Sequence, residues 1–278
     1  MLLTGAAGLL GTWLRRTAPK ESNVIPATHR RRVSGNDVVV DLRDRHAVAS
    51  ALTTVKPGLM IHAGYARDRA SIVDATRNVV DMAQEVGASL IFVSSDAVFS
   101  GDGSPRSEAA QPDPVWDYGT WKAEAERVVS DRDPNAVIAR LPLIISLDPE
   151  DHVLAGIRFG HENAAPTVWF SDEMRQPAHA EELCRAIWDI ASVPLEDRTG
   201  VWHLPGPERL SRYEIADRAV AALGLDRSAI VSALTPLGAH RPRDLNLTGE
   251  RAKDQIGWCP SPIHTSTTAS THKRSGPE

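Results

Sequence analysis

The chain has 278 residues, with 31 Lys and Arg against 36 Asp and Glu, a formal net charge of −5 and 42% hydrophobic residues. That size suits one large domain or two modest ones, and the charge balance argues against a nucleic-acid binder built on a basic face. Cys184 and Cys259 lie far apart without metal-ligand spacing, no apolar run of about 18 residues occurs, and the first residues lack a basic flank, so a metal-free protein of the reducing cytoplasm, with no membrane or nucleic-acid partner, is expected.

Met1 to Thr4 predicts a short first strand; either that strand is brief or the chain starts late. The loop 5-GAAGLLG-11 follows at once and opens a helix. Gly5, Gly8 and Gly11 allow a tight turn, a close approach of backbone N–H groups to a pyrophosphate, and close packing of helix on strand. The helix start, with Ala7, Leu9 and Leu10, faces the phosphates with its positive end. The strand–loop–helix setting favours dinucleotide binding over a purely structural turn.

NVIPAT predicts the second strand, and it runs into 29-HRRR-32. A fold that binds NAD places a carboxylate about 20 residues past the loop. None stands here. A guanidinium pairs bidentately with a 2′-phosphate, so Arg30 or Arg31 predicts NADP(H), with NAD(H) allowed. The plain alternative is a solvated basic turn. DVVVDL predicts a third strand, with Asp41 and Leu42 approaching the adenine; Asp41 could otherwise cap a helix. RHAVASALTTV predicts a helix. LMIHAG is a fourth strand, and His62, Ala63 and Gly64 close it beside the cofactor. From Ala70 to Val86, apolar residues recur at helical spacing and Gly87 follows as a stop.

SLIFVSS shows no alternation, as a strand covered on both faces would not. WDYGTWKAEAERVVSD reads as a helix and AVIARLPLII as a strand. On that helix Tyr118 and Lys122 are four residues apart and share a face. A buried ammonium would lower the phenol's pKa toward working pH, as general acid–base chemistry needs. Of the three tyrosines only Tyr118 has such a lysine. Ser95, at the end of SLIFVSS, can polarise a carbonyl, or else cap a turn.

The second half carries helical patterns at AEELCRAIWDIA and SRYEIADRAVAALG, with GVWHLP as one more strand of the first sheet. The expected fold is α/β, a Rossmann-type doubly wound parallel sheet with a smaller C-terminal α/β substrate lobe. Residues 1–145 would form the NADP-binding part, with a returning strand near 200–205. Residues 146–263 would form the lobe, and 264–278 a tail without apolar pattern, expected to be disordered.

The segments 4-TGAAGLLG-11, 94-SSDAVFSGDGSPRSE-108, 118-YGTWKAEAE-126, 140-RLPLI-144, 172-DEMRQPAHAEEL-183 and 241-RPRD-244 together resemble an extended short-chain dehydrogenase/reductase, and most closely the dTDP-4-dehydrorhamnose reductase group. The resemblance covers Met1 to about Ile263. It implies catalytic roles for Ser95, Tyr118 and Lys122, with Tyr118 and Lys122 also touching the cofactor. The implied reaction reduces the C4 ketone of a nucleotide-linked 6-deoxyhexose with NADPH or NADH; a homodimer is allowed as the assembly. Asp96, Ala97, Arg175 and Arg241 fall near the implied sugar-nucleotide cleft, as do Asp172 and Gln176; structural salt bridges are the plainer role for the charged ones. Ala97 departs from the group, where an aromatic usually follows the aspartate. Two alternatives stand beside this reading: an epimerase or dehydratase of the same fold, and a non-catalytic NADP-binding regulatory subunit, as in relatives that regulate methionine adenosyltransferase.

Overall fold

The computed structural model describes residues 1–263; the tail expected over 264–278 lies outside the described residues. The chain begins with β1 (Leu2–Thr4), α1 (Leu9–Arg16), β2 (Ile25–Thr28), β3 (Val38–Val39), α2 (Arg45–Val55) and β4 (Leu59–His62). The Asp44 side chain caps α2, accepting from the amides of His46 and Ala47, so that role belongs to Asp44 and not to Asp41. A π-helical turn, Ala70–Asp74, leads into α3 (Ala75–Val86). That helix stops at Gly87, where φ is 70°, a conformation glycine takes without a Cβ penalty. Next come β5 (Ser89–Ser95), α4 (Asp117–Arg132) and β6 (Val137–Leu141).

The single strand expected over AVIARLPLII is two strands. Pro142 supplies no N–H, and the chain leaves the main sheet there; β7 (Ile144–Ile145) pairs elsewhere. There follow α5 (His152–Glu162), β8 (Thr167–Phe170), β9 (Met174–Arg175), β10 (Ala178–His179), α6 (Ala180–Ser192), α7 (Leu195–Arg198), β11 (Gly200–His203), β12 (Leu210–Ser211), α8 (Arg212–Ala222), β13 (Ile230–Ala233) and α9 (Glu250–Ile256).

Seven strands form one sheet in the order β11-β6-β5-β4-β1-β2-β3, and every neighbouring pair is parallel. Side-chain direction alternates along each strand, so one strand feeds two cores. Leu90 and Phe92 of β5 join the core beneath α2, α3 and α4, while Ile91 and Val93 join the core beneath α1 and α6. This explains why SLIFVSS is apolar throughout. Val153, Leu154 and Ile157 of α5 pack with Ile215, Ala219 and Val220 of α8 in a separate core. The strand order reverses at β1 and β4, and in such sheets a ligand crevice opens beyond the carboxyl ends at that point. No helix of the described residues is long and apolar enough to cross a membrane.

Candidate functional site

The glycine turn sits at the reversal. Gly5 has φ of 70°, and a Cβ there would stand 2.7 Å from the Ala63 backbone at the end of β4. A Cβ at Gly11 would stand 2.1 Å from the Gly5 carbonyl oxygen. The turn is closed by Gly8 N–H donating to Gly5 O at 2.9 Å. These contacts require glycine at both positions and leave the backbone bare at the mouth of α1.

Beside the turn lies a cleft of about 430 Å³, lined by Gly5, Ala7, Gly8, Arg30, Arg31, Asp41, Leu42 and Gly64 among others. That volume falls within the usual small-molecule range of roughly 300–1,000 Å³. Arg31 spans the cleft mouth, its guanidinium donating to Ala7 O at 2.7 Å. His29 and Arg43 also line it. The Asp41 carboxylate is gripped by the Arg43 guanidinium at 2.7 Å, and that bond holds its pKa well below the usual carboxylate range. A bare glycine turn facing three arginines fits the pyrophosphate and extra phosphate of NADP.

Three of the expected cofactor contacts lie elsewhere. His62 is 1% exposed and bridges Thr4 at 2.7 Å and Thr76 at 3.1 Å inside the sheet; burial, then the Lys122 charge, pushes its pKa down to about 3. It braces β4 from within and does not line the cleft. Leu10 packs against the α6 side of the core, because a side chain on α1 must cover the sheet. Ala63 packs in the same core and offers its backbone to Gly5. Leu9 opens α1.

Ser95, Tyr118 and Lys122 come together at the carboxyl end of β5. Ser95 Oγ donates to Asp96 Oδ1 at 3.0 Å and accepts from the Ala97 amide at 3.2 Å, and it stands near enough to Tyr118 to pull the phenol's pKa down. Helix α4 can approach because residue 119 is glycine: a Cβ there would stand 2.1 Å from Ala97 O. Lys122 is 4% exposed, donates to Val93 O at 2.9 Å, and lies 4.9 Å from the ring centres of Tyr65 and Phe92. Burial pushes its pKa down to about 8, against the opposing pull of Glu126.

The phenol does not follow the expected direction. Tyr118 is raised well above its ordinary pKa of 10.0, by burial first, then by Tyr65, while Ser95 pulls the other way. The ammonium expected to lower it is bonded to Val93 O instead, and desolvation of the phenolate dominates.

Behind Lys122, one helical turn on, lies a buried ion pair that spacing alone did not reveal. Glu126 accepts from Arg140 of β6 at 2.8 Å and from Ser94 Oγ at 2.5 Å. Arg140 also meets His203 Nε2 at 3.2 Å. The one local signal was Arg140, a charged residue inside the otherwise apolar, fully buried strand β6.

Of the residues expected near a substrate, Asp96 is 6% exposed beside Ser95, and burial raises its pKa to about 6 against the pull of Arg175. Ala97 is buried and its carbonyl accepts from Trp116 at 3.4 Å. Arg175 and Arg241 both clasp Glu173, at 3.2 and 2.7 Å. Asp172 accepts from Thr235 at 2.8 Å. Gln176 bridges the backbone of Leu247 with bonds of 2.6 and 3.1 Å. These last four are bonded within the chain.

The family model described as RmlD substrate binding domain matches residues 1–274. Methionine adenosyltransferase 2 subunit beta of Bos taurus is 27% identical over 272 residues, 90% of this chain and 80% of that protein. A dTDP-4-dehydrorhamnose reductase of Aggregatibacter actinomycetemcomitans is 25% identical over 285 residues, 94% of each chain. A solved dTDP-4-dehydrorhamnose reductase of Bacillus anthracis in complex with NADP superposes with a TM-score of 0.79 at 21% identity, covering 94% of this chain and 92% of that one.

Proposed function

The chain belongs to the RmlD substrate binding domain family, and from that premise we propose that it is an NADPH-dependent reductase of the 4-keto group of a nucleotide-linked 6-deoxyhexose, with dTDP as the nucleotide. The observation that carries this reading is the convergence of Ser95, Tyr118 and Lys122 beside Tyr65, which itself lines the glycine-turn cleft. The complex of the Bacillus anthracis relative with NADP supports the cofactor, as does the arginine cluster at the cleft.

Bound NADPH supplies the hydride. The bare glycine turn takes the pyrophosphate, and Arg30, Arg31 and Arg43 take the additional phosphate. Ser95 donates to the ketone oxygen and holds it. Tyr118, kept protonated by its raised pKa, gives its proton to that oxygen as negative charge develops. The Lys122 ammonium, enclosed beneath Tyr65, supplies a fixed positive field. Adding a panel of 4-keto sugar nucleotides to protein and NADPH, and following NADPH absorbance, tests the reading. Oxidation with one member is expected; silence across the panel despite NADPH binding would sink it.

The similarity to methionine adenosyltransferase 2 subunit beta favours a second reading, a cofactor-binding regulatory subunit. It calls for NADPH binding without turnover and for a stable complex with a partner enzyme.

A further inference from the structure

Ser94 of β5, Arg140 of β6 and His203 of β11 are register partners on three adjacent strands. Side chains in one such row leave the sheet on the same face, here the face that α4 covers. All three are buried, at 3%, 3% and 0% exposure, as is Glu126 of α4 at 4%. Glu126 descends onto this row. Its carboxylate accepts from Arg140 Nε at 3.0 Å and Arg140 Nη2 at 2.8 Å, a forked pair, and from Ser94 Oγ at 2.5 Å. The far side of Arg140 is held too. Its Nη1 donates to His203 Nε2 at 3.2 Å, and His203 Nδ1 donates to Thr248 O at 3.0 Å. A carbonyl only accepts, which fixes that tautomer. Burial, then the Arg140 charge, pushes the His203 pKa down to about 4 and keeps the ring neutral.

The same helix face carries the reacting groups. Tyr118, Lys122 and Glu126 recur at every fourth residue and share one side of α4. Lys122 donates to Val93 O at 2.9 Å and Glu126 binds Ser94, so two successive helical turns grip two successive residues of β5. Ser95 comes next. At the start of the helix, Gly119 brings the backbone against Ala97 O. Stability alone does not account for the buried pair, because two charges taken out of water rarely outdo an apolar pair of equal volume. What a forked guanidinium–carboxylate pair adds is a fixed geometry.

We propose that Glu126, anchored through Arg140 to the polar row, is a positioning residue that sets the register of α4 on β5 and so holds Lys122 and Tyr118 against Ser95. Its meaning for catalysis rests on the reductase reading; the register itself does not. Lys122 reports on that register. Its Nζ lies 4.9 Å from the ring centres of Tyr65 and Phe92, so ring currents displace the signals of its ε-methylene. Glu126→Asp keeps the charge opposite Arg140 and shortens the reach by one methylene, a change felt by a role that depends on distance.

NMR on the full chain carrying isotope-labelled lysine tests this, beside turnover of NADPH with the panel of 4-keto sugar nucleotides. The Lys122 signal is the one lost in Lys122→Arg. In Glu126→Asp it should move toward the position of a solvent-exposed lysine. There kcat should fall roughly 10²-fold, the scale of a displacement of about 1 Å near the reacting atoms. Ser94→Ala removes the second grip, keeps the ion pair and should move the signal in the same direction; it decides if Glu126→Asp does not fold. A moved signal in a protein whose wild type oxidises NADPH with no panel member would keep the register and defeat the reductase reading. A Lys122 signal unmoved in every folded variant, or a moved signal with undiminished turnover in an active enzyme, would overturn the inference.

Discussion

The rings of Tyr65 and Tyr118 stand 5.9 Å apart and tilted by 44°. Tyr65 thereby borders both the cofactor cleft and the phenol that is proposed to give up a proton. After burial, the nearness of Tyr65 is the next cause that raises the Tyr118 pKa. Tyr65→Phe should therefore bring the Tyr118 pKa down, and phenolate absorbance against pH would read the shift. An unmoved or higher value would refute this coupling.

Tyr118→Phe removes the proposed acid and leaves the ring. Turnover should fall by roughly 10²–10⁴, the usual contribution of one acid–base group. Affinity for NADPH should change little. Steady-state kinetics beside a binding titration separates the two, and near-normal kcat would displace Tyr118 from its role.

Lys122 titrates before Tyr118. Its ammonium, depressed to about 8 by burial, loses its proton as pH rises through about 8, while the phenol, raised above 10.0, stays protonated. Reduction should thus decline above about pH 8 from loss of the lysine charge. In Lys122→Arg the guanidinium stays charged throughout, so the decline should move to higher pH or vanish. A kcat/KM profile that is identical in both proteins would contradict the assignment.

Arg31 and Arg43 should discriminate between the two dinucleotides. Loss of a charge-assisted bond costs about 1.5–3 kcal/mol, so Arg31→Ala and Arg43→Ala should each weaken NADPH by about ten-fold or more while sparing NADH. Fluorescence titration with both cofactors checks it. A parallel loss for NADH would place these side chains away from the additional phosphate.

Glu126 anchors a buried pair with Arg140, at 5% and 3% side-chain exposure. Glu126→Ala leaves the guanidinium uncompensated, and breaking such a pair costs about 3–5 kcal/mol. A large drop in melting temperature is expected. Arg140→Met in the same chain should restore part of it, since the lone charge is then gone; a double variant worse than the single would argue against the pair as the cause.

Much of this architecture was legible in the chain because its signals are local. Apolar runs separated by helical periods specify alternating strands and helices, and a glycine spacing directly after a strand specifies a turn that only glycine can make. Tyr118 and Lys122 share a helix face by spacing alone. Other features depend on what distant segments bring together and how much water they exclude. His62 turned inward because Thr4 and Thr76 meet it there. Arg43 joined the cleft by folding back on Asp41, and Glu126 found its partner on β6. The sign of the Tyr118 shift was of this kind too: burial is set by all the surrounding chain, and it outweighed a charge four residues away.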